Sequence, residues 1–412
     1  MRIGRRALAA ALLPAPVLAQ ARPRVVVVGG GFGGATAARA LARAGIATTL
    51  VEANATYTAC PFSNAVIAGL RGMGAQRFGY DALRAEGIST IHQRAVGIDA
   101  QAKRVTLADG TVLPFDRALL SPGIEIRFDA LPGYDEAAAE VMPHAWQAGP
   151  QTELLAAQLR AMADGGTVVM VVPPNPYRCP PGPYERASLI AHFLKSTKPR
   201  SKLLVLDAKD VFSKQRLFEA AWAALYPGLL EYVPLAMGGR VTAVDARTRT
   251  VTTDFGSQQG AVVNVIPPQR AGAIAQVAGV ADRSGWCPVD PASFESRLVP
   301  GVHVIGDAII AGAMPKSAFA ANAQARVAAA AMAALLAGRA VPAPKLLNTC
   351  YSLVAPEYGI SVAGVYQPAN GLLTDVPGAG GTSALDAPAS VREAEARYAE
   401  DWFATITADV FG

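Results

Sequence analysis

This chain is poor in the residues that most often carry catalysis. It has four cysteines, Cys60, Cys179, Cys287 and Cys350, and four histidines, His92, His144, His192 and His303. No C-x-x-C-H string occurs, so no haem is expected on this polypeptide. The adjacent C-x₄-C pair of dithiol reductases is also missing. No Lys/Arg block of the nucleic-acid-binding kind is present. Charged residues make up only 17% of the chain and hydrophobic ones 51%. That balance argues against disorder, and 412 residues suffice for two or three well-buried domains. No metal site is expected, and no stretch reads as a membrane-spanning helix of about 20 apolar residues.

Residues 1–21 read as a signal peptide. Arg2, Arg5 and Arg6 form a basic start, Ala7 to Ala19 are mostly apolar, and Ala19-Gln20-Ala21 fits a small-residue cleavage site. The adjacent Arg5-Arg6 point to twin-arginine export, which carries folded proteins; an ordinary secretory signal is the alternative. A soluble periplasmic protein is expected, in a compartment where disulfides persist. Removing the three arginines takes the net charge from +5 to +2, so the basic balance belongs partly to the leader.

The most specific signal follows at once. Val25-Val26-Val27-Val28 is a β-branched run suited to a parallel strand buried on both faces. Gly29, Gly31 and Gly34 then spell G-x-G-x-x-G within Gly29-Gly30-Gly31-Phe32-Gly33-Gly34. Such glycines allow a tight turn, close approach of a pyrophosphate and close helix–strand packing. The helix that follows turns its N–H groups and positive dipole end to the phosphates. Glu52 ends the next strand, 18 residues past Gly34, where a ribose-binding acid is expected. Strand, glycines, helix, strand and acid in that order predict a dinucleotide site.

The motif alone suits FAD or NAD. Val302-His303-Val304-Ile305-Gly306-Asp307 favours FAD. It looks like the strand that returns to the FAD domain of flavoproteins with two dinucleotide domains, where its Asp, here Asp307, binds the ribityl chain. A long Ala-rich helix, 318–336, comes next, with its N-terminus placed to stabilise charge on reduced flavin. Lys316, just before it, either adds to that charge or is solvated.

A second buried strand, Gly166 to Val172, predicts a second domain of the same kind. Pro173-Pro174-Asn175-Pro176 stands where the phosphate-binding glycines belong. Proline lacks an N–H and resists the turn, so NAD(P)H binding is not expected. Cys179 lies in a Pro/Gly-rich loop beside Arg178 and a predicted helix start near Pro183, a setting that predicts a lowered thiol pKa. Four cysteines allow three pairings, and spacing selects none of them. A structural disulfide and buried free thiols both remain open on the residues alone.

Several long strings resemble the flavoprotein subunit of flavocytochrome c sulfide dehydrogenase. They are Tyr57-Thr58-Ala59-Cys60-Pro61-Phe62-Ser63-Asn64, Arg178 to Arg186, Ile266-Pro267-Pro268-Gln269-Arg270-Ala271-Gly272, Gly285-Trp286-Cys287-Pro288-Val289-Asp290 and Leu347-Asn348-Thr349-Cys350-Tyr351-Ser352. The likeness runs through the whole mature chain, including Trp402 in the flavin-binding C-terminal part and the closing Val410-Phe411-Gly412. It implies an α/β fold with two Rossmann-like domains of glutathione reductase type and a C-terminal α+β domain. The implied divisions are an FAD domain split into 22–137 and 265–345, a degenerate NAD-like domain at 138–264, and a C-terminal unit at 346–412.

The resemblance also implies covalent FAD through Cys60, a redox disulfide between Cys179 and Cys350 beside the flavin, and a separate c-type cytochrome subunit as electron acceptor. Hydrosulfide would open the disulfide, and two electrons would pass to FAD. Glu185 either manages a proton there or pairs with Arg186 on the surface. Cys287 is expected to be a buried free thiol. Two other readings stand beside this one: a sulfide:quinone oxidoreductase, and an accessory flavoprotein of a sulfur-oxidation complex. The quinone enzymes usually attach to a membrane through a C-terminal segment. Here the predicted final helix, 390–408, sets Arg392 and Arg397 against Glu393, Glu395, Glu400 and Asp401, which suits an anionic surface poorly.

Overall fold

The computed structural model describes residues 22–412, so the predicted leader at 1–21 lies outside the described residues. Strand β1 (Arg24–Val28) is buried from Val25 onward, as its β-branched run requires. It leads through the glycine turn into α1 (Phe32–Arg43), whose N-cap, Gly31, offers no side-chain cap. Strands β2 (Ala47–Val51), β3 (Ser89–Ile91) and β4 (Arg117–Leu120) complete the first segment of this unit.

The chain then builds a second parallel sheet. Its elements are β5 (Thr167–Val172), α2 (Gly182–Thr197), β6 (Lys202–Asp207), α3 (Gln215–Leu225), β7 (Leu230–Val233) and β8 (Val262–Val265). Its strand order is β7-β6-β5-β8. Strand β9 (Val302–Val304) returns to the first sheet and pairs in parallel with β4, giving the order β9-β4-β1-β2-β3. The nucleotide fold is therefore assembled from two stretches of chain with the second sheet between them.

Helix α4 (Ala318–Leu336) follows, with the Ser317 hydroxyl accepting from Ala320 N as its N-cap. It is the one helix among the described residues long and apolar enough to cross a membrane, contrary to the sequence-based expectation of none. Its small side chains pack closely on α1, whose glycines and alanines present an equally flat face. The chain ends in a four-stranded antiparallel sheet, the meander β10 (Leu346–Ala355), β11 (Tyr358–Ala369) and β12 (Leu372–Asp375) with the short strand Gly381–Thr382 also paired to β11, covered by α5 (Ala389–Phe411). Helix α5 runs three residues past its predicted end. Those residues dock on the first domain: Phe411 stacks on Tyr57 and Phe78, each at 5.2 Å, and Arg39 donates to Asp409 O at 2.6 Å.

Candidate functional site

The glycine turn is shaped so that side chains are excluded. A Cβ on Gly34 would lie 1.7 Å from Gly29 O, and one on Gly29, at φ +98°, would lie 2.3 Å from Ser121 O. Gly33 approaches Ser121 Oγ in the same way, at 2.6 Å from a would-be Cβ. Gly31 faces the Tyr57 ring, and buried Phe32 meets that ring edge-on at 5.7 Å. Glu52 closes β2 and accepts from Gly30 N at 2.7 Å, which holds its carboxylate at the turn.

Asp307 follows β9 directly. Its Oδ1 is buried and has no hydrogen-bond partner. Burial raises its carboxyl pKa, with Arg178 and Lys316 pulling the other way. An unpaired buried acceptor at this point, beside a turn that admits no Cβ, fits the ribityl and pyrophosphate portions of FAD. Lys316 is not solvated. Its ammonium donates to Asp307 O at 2.7 Å and Ile309 O at 2.6 Å and sits 3.9 Å from the Trp286 ring centroid. Burial pulls its pKa down to about 8. Buried Cys287 neighbours it, and burial pushes that thiol up to about 12, as suits an inert thiol.

Cys60 lies on the short segment after Tyr57–Thr58, tied down by Ala59 N to Gln76 O at 2.8 Å and by buried Gln76 donating to Ala59 O at 2.9 Å. Burial works against the charge on Arg178. Cys60 and Asp307 outweigh it, so the guanidinium holds its proton more tightly than usual. Arg178 thus acts electrostatically on both Cys60 and Asp307, a role its position beside Cys179 did not suggest.

Cys179 stands at φ 56°, a left-handed conformation that non-glycine residues seldom adopt. Its N–H donates to Lys316 O at 2.9 Å, linking this loop to the N-terminal approach of α4. Cys350 projects from β10. Neither sulfur is bonded to another in this structure. Burial pushes the Cys179 thiol well above its ordinary pKa, and Cys350 and Glu185 add to that. Arg178 and Lys214 oppose the rise without reversing it. The sequence-based expectation of a lowered pKa is therefore overturned, because burial outweighs the neighbouring cations.

Glu185 makes no surface pair with Arg186. Its Oε2 accepts from Asn64 at 2.7 Å and its Oε1 from Leu353 N at 2.9 Å, and burial raises its carboxyl pKa. Arg186 is 1% exposed and turns elsewhere, donating to Asn64 Oδ1 and Asn264 Oδ1, each at 3.0 Å, and to His144 O at 2.9 Å. Asn64 therefore carries the link from Arg186 to Glu185. Trp402, on α5, lies parallel to Phe319 at 6.2 Å, at the start of α4. Asn64, Arg186 and Lys214 escaped sequence reasoning as site residues. They are polar side chains from distant elements, and only their shared burial reveals them.

Two parallel dinucleotide folds, one with an intact glycine cradle, and a cysteine pair tied to the helix behind it define a flavin-dependent oxidoreductase. Residues 23–161 match the pyridine nucleotide-disulphide oxidoreductases. Residues 152–267 match the central domain of the sulfide dehydrogenase [flavocytochrome c] flavoprotein chain, and residues 342–411 match the flavocytochrome c sulphide dehydrogenase flavin-binding domain. The flavoprotein chain of sulfide dehydrogenase [flavocytochrome c] from Chlorobaculum thiosulfatiphilum is 58% identical over 45 residues, 10% of this chain and 94% of that sequence. The chain belongs to the flavoprotein family of flavocytochrome c sulfide dehydrogenase, and its cofactor is FAD.

Solved structures agree on the fold. The sulfide:quinone oxidoreductase of Aquifex aeolicus superposes with a TM-score of 0.73 at 16% identity, covering 94% of this chain and 92% of that one. The putidaredoxin reductase–putidaredoxin complex gives 0.67 at 17%, covering 93% and 94%. An NAD-dependent persulfide reductase from A. fulgidus gives 0.62 at 16%, covering 94% and 77%. At such identities the likeness speaks for the fold alone.

Proposed function

We propose that this protein oxidises sulfide through a Cys179–Cys350 disulfide and FAD, and delivers the electrons to a c-type cytochrome subunit. The observation that carries the reading is the run of bonds that gathers both cysteines at the entry to α4: Cys179 N to Lys316 O at 2.9 Å, Ser317 Oγ to Asn348 Oδ1 at 2.6 Å, and Asn348 Nδ2 to Cys350 Sγ at 3.4 Å. Bound FAD supplies a two-electron acceptor that can release electrons singly. The chain's own residues do the rest. Gly29, Gly31, Phe32, Gly33 and Gly34 form the pyrophosphate turn, Glu52 takes the ribose and Asp307 the ribityl chain. Lys316 and the N-terminus of α4 place positive charge at one edge of the site.

Hydrosulfide opens the disulfide, forming one sulfur–sulfur bond as another breaks. Glu185, held by Asn64 and Leu353 N–H and with its proton affinity raised by burial, takes up and returns the substrate's proton. Cys60 would hold the flavin covalently as a thioether, and Trp402 with Phe319 would border it from α5. The family's name supports the cytochrome partner. Arg5-Arg6 support export to the periplasm, where fractionation should find the wild type, and Arg5→Lys/Arg6→Lys should remain in the cytoplasm.

The test couples two measurements. Acid-denatured protein separated on a gel should keep its flavin fluorescence, and sulfide should drive reduction of cytochrome c by the native protein. NADH in place of sulfide should leave the flavin oxidised. Flavin that washes out, with electrons going to a quinone instead, would favour the sulfide:quinone reading and remove the role given to Cys60.

A further inference from the structure

Three charged side chains act on the Cys179 thiol: Arg178, Glu185 and Lys214. The scheme above gives Lys214 no part. Lys214 caps α3 with φ 63°, in the left-handed region, and is 9% exposed. Its ammonium donates to Cys350 O at 2.9 Å, Ser352 Oγ at 2.8 Å and Ile360 O at 3.4 Å. All three partners are neutral oxygens, two on β10 and one on β11. A buried cation with neutral partners in a strained backbone is costly to keep. Burial draws its pKa down to about 8, while Cys350, Glu185, Cys179 and Glu395 act to hold the proton on. Those four groups come from β10, α2, the loop before α2, and α5.

The two sulfurs see different surroundings. Asn348 Nδ2 points a donor at Cys350 Sγ at 3.4 Å, and the Lys214 ammonium is bonded to the carbonyl of the same residue. At Cys179 the Glu185 carboxylate opposes negative charge on the sulfur more strongly than Arg178 or Lys214 favours it. We infer that Lys214 is a positioning residue that directs the negative charge of the opened pair onto Cys350, so that incoming sulfur is carried by Cys179. This rests on the sulfide-oxidising reading. Hydrosulfide bonds to Cys179 Sγ as a hydropersulfide, whose terminal proton Glu185 then takes up. The Sγ–Sγ bond breaks and its electron pair stays on Cys350 as thiolate. Nothing else is consumed.

The test uses full-length flavin-loaded protein, reduced with a phosphine and alkylated with iodoacetamide across a pH series, with each cysteine read by peptide mass spectrometry. Cys350 should alkylate at lower pH than Cys179. Lys214→Met should raise the Cys350 midpoint by about one pH unit or more, roughly a tenfold loss of thiolate at neutral pH. Lys214→Arg should keep the wild-type order. Should Lys214→Met lose its flavin, Asn348→Ala, which removes the other donor, should raise the same midpoint. Prior alkylation of Cys179 in the wild type, or identical behaviour of the Met and Arg variants, overturns the inference. Sulfide turnover is followed in parallel. Turnover with the reverse alkylation order sinks only the Lys214 assignment, whereas the expected order without turnover sinks the sulfide reading.

Discussion

Cys179 shows how much a single residue's setting depends on what is folded around it. Its neighbours in sequence, Arg178 and a helix start, argue for a reactive low-pKa thiol. Its neighbours in space bury it and add Cys350 and Glu185, so the thiol is driven up. A disulfide has no proton to lose, and the same burial that disfavours a thiolate favours keeping the sulfurs joined until a small anion enters. The cysteines should therefore separate cleanly by role. Cys179→Ser should abolish sulfide-dependent cytochrome reduction while FAD stays bound. Cys60→Ser should retain FAD in the native protein and lose it on denaturation. Absorbance of the native protein and in-gel fluorescence of the denatured one distinguish the two. Normal turnover by Cys179→Ser would end the disulfide scheme.

At the scale of elements, the second sheet keeps the parallel order of a dinucleotide fold, and its acid is bonded within the protein. Asp207 ends β6, where a ribose-binding acid stands in a working domain. It is fully buried, with its oxygens taken by Tyr184 Oη at 2.6 Å, Lys209 Nζ at 2.6 Å and Tyr232 Oη at 3.1 Å. Tyr184 stacks on Phe212 at 3.5 Å over the same place. The loop Pro173-Pro174-Asn175-Pro176 stands where the glycine turn of a working domain belongs, and the acid of β6 is engaged by the protein's own side chains. Helix α5 makes the opposite contribution. Its last residues form part of the wall beside the intact glycine turn, with Phe411 against Phe32, Tyr57 and Phe78. Phe411→Ala should cost about 3–5 kcal/mol in denaturant unfolding and weaken retention of the flavin. A change below about 1 kcal/mol, within the ordinary scatter for exposed sites, would show that the helix end does not brace the site.

The whole molecule is held at its centre by groups that are costly to charge. His144 is 5% exposed, its Nδ1 accepts from Trp146 N at 2.9 Å, and burial next to Arg186 lowers its pKa from 6.5 to about 4. The folded state therefore binds this proton less readily than the unfolded chain. The contribution is full above pH 6.5 and is lost as pH falls from there through about 4. It amounts to roughly 3 kcal/mol at most. Burial lowers the pKa of His303 on β9 in the same direction. Thermal unfolding of the wild type should drop over that range more steeply than that of His144→Asn, whose side-chain oxygen preserves an acceptor for Trp146. Parallel curves would show that His144 does not control acid stability.

The nucleotide fold was legible because its signals are local. A β-branched run, glycines at fixed spacing and an acid ending the next strand each act through a few neighbouring peptide units, and Gly306-Asp307 does the same at the return strand. The Ala-rich helix 318–336 is found over the residues its composition predicts, yet composition alone does not say that it packs on α1 rather than in a lipid bilayer. The active arrangement was not legible in the same way. Glu185 turns to Asn64 and Leu353, Lys214 reaches Cys350 from 136 positions away, and Cys179 is raised rather than lowered. Backbone conformation is governed by nearby residues. Proton affinity and hydrogen-bond partnership are governed by burial and by whatever distant elements the fold brings within about 4 Å, where the Coulomb interaction and desolvation are strongest. The sequence by itself determined the cradle and the identity of its glycines and acids. Only the tertiary structure decided which buried charges face the cysteines.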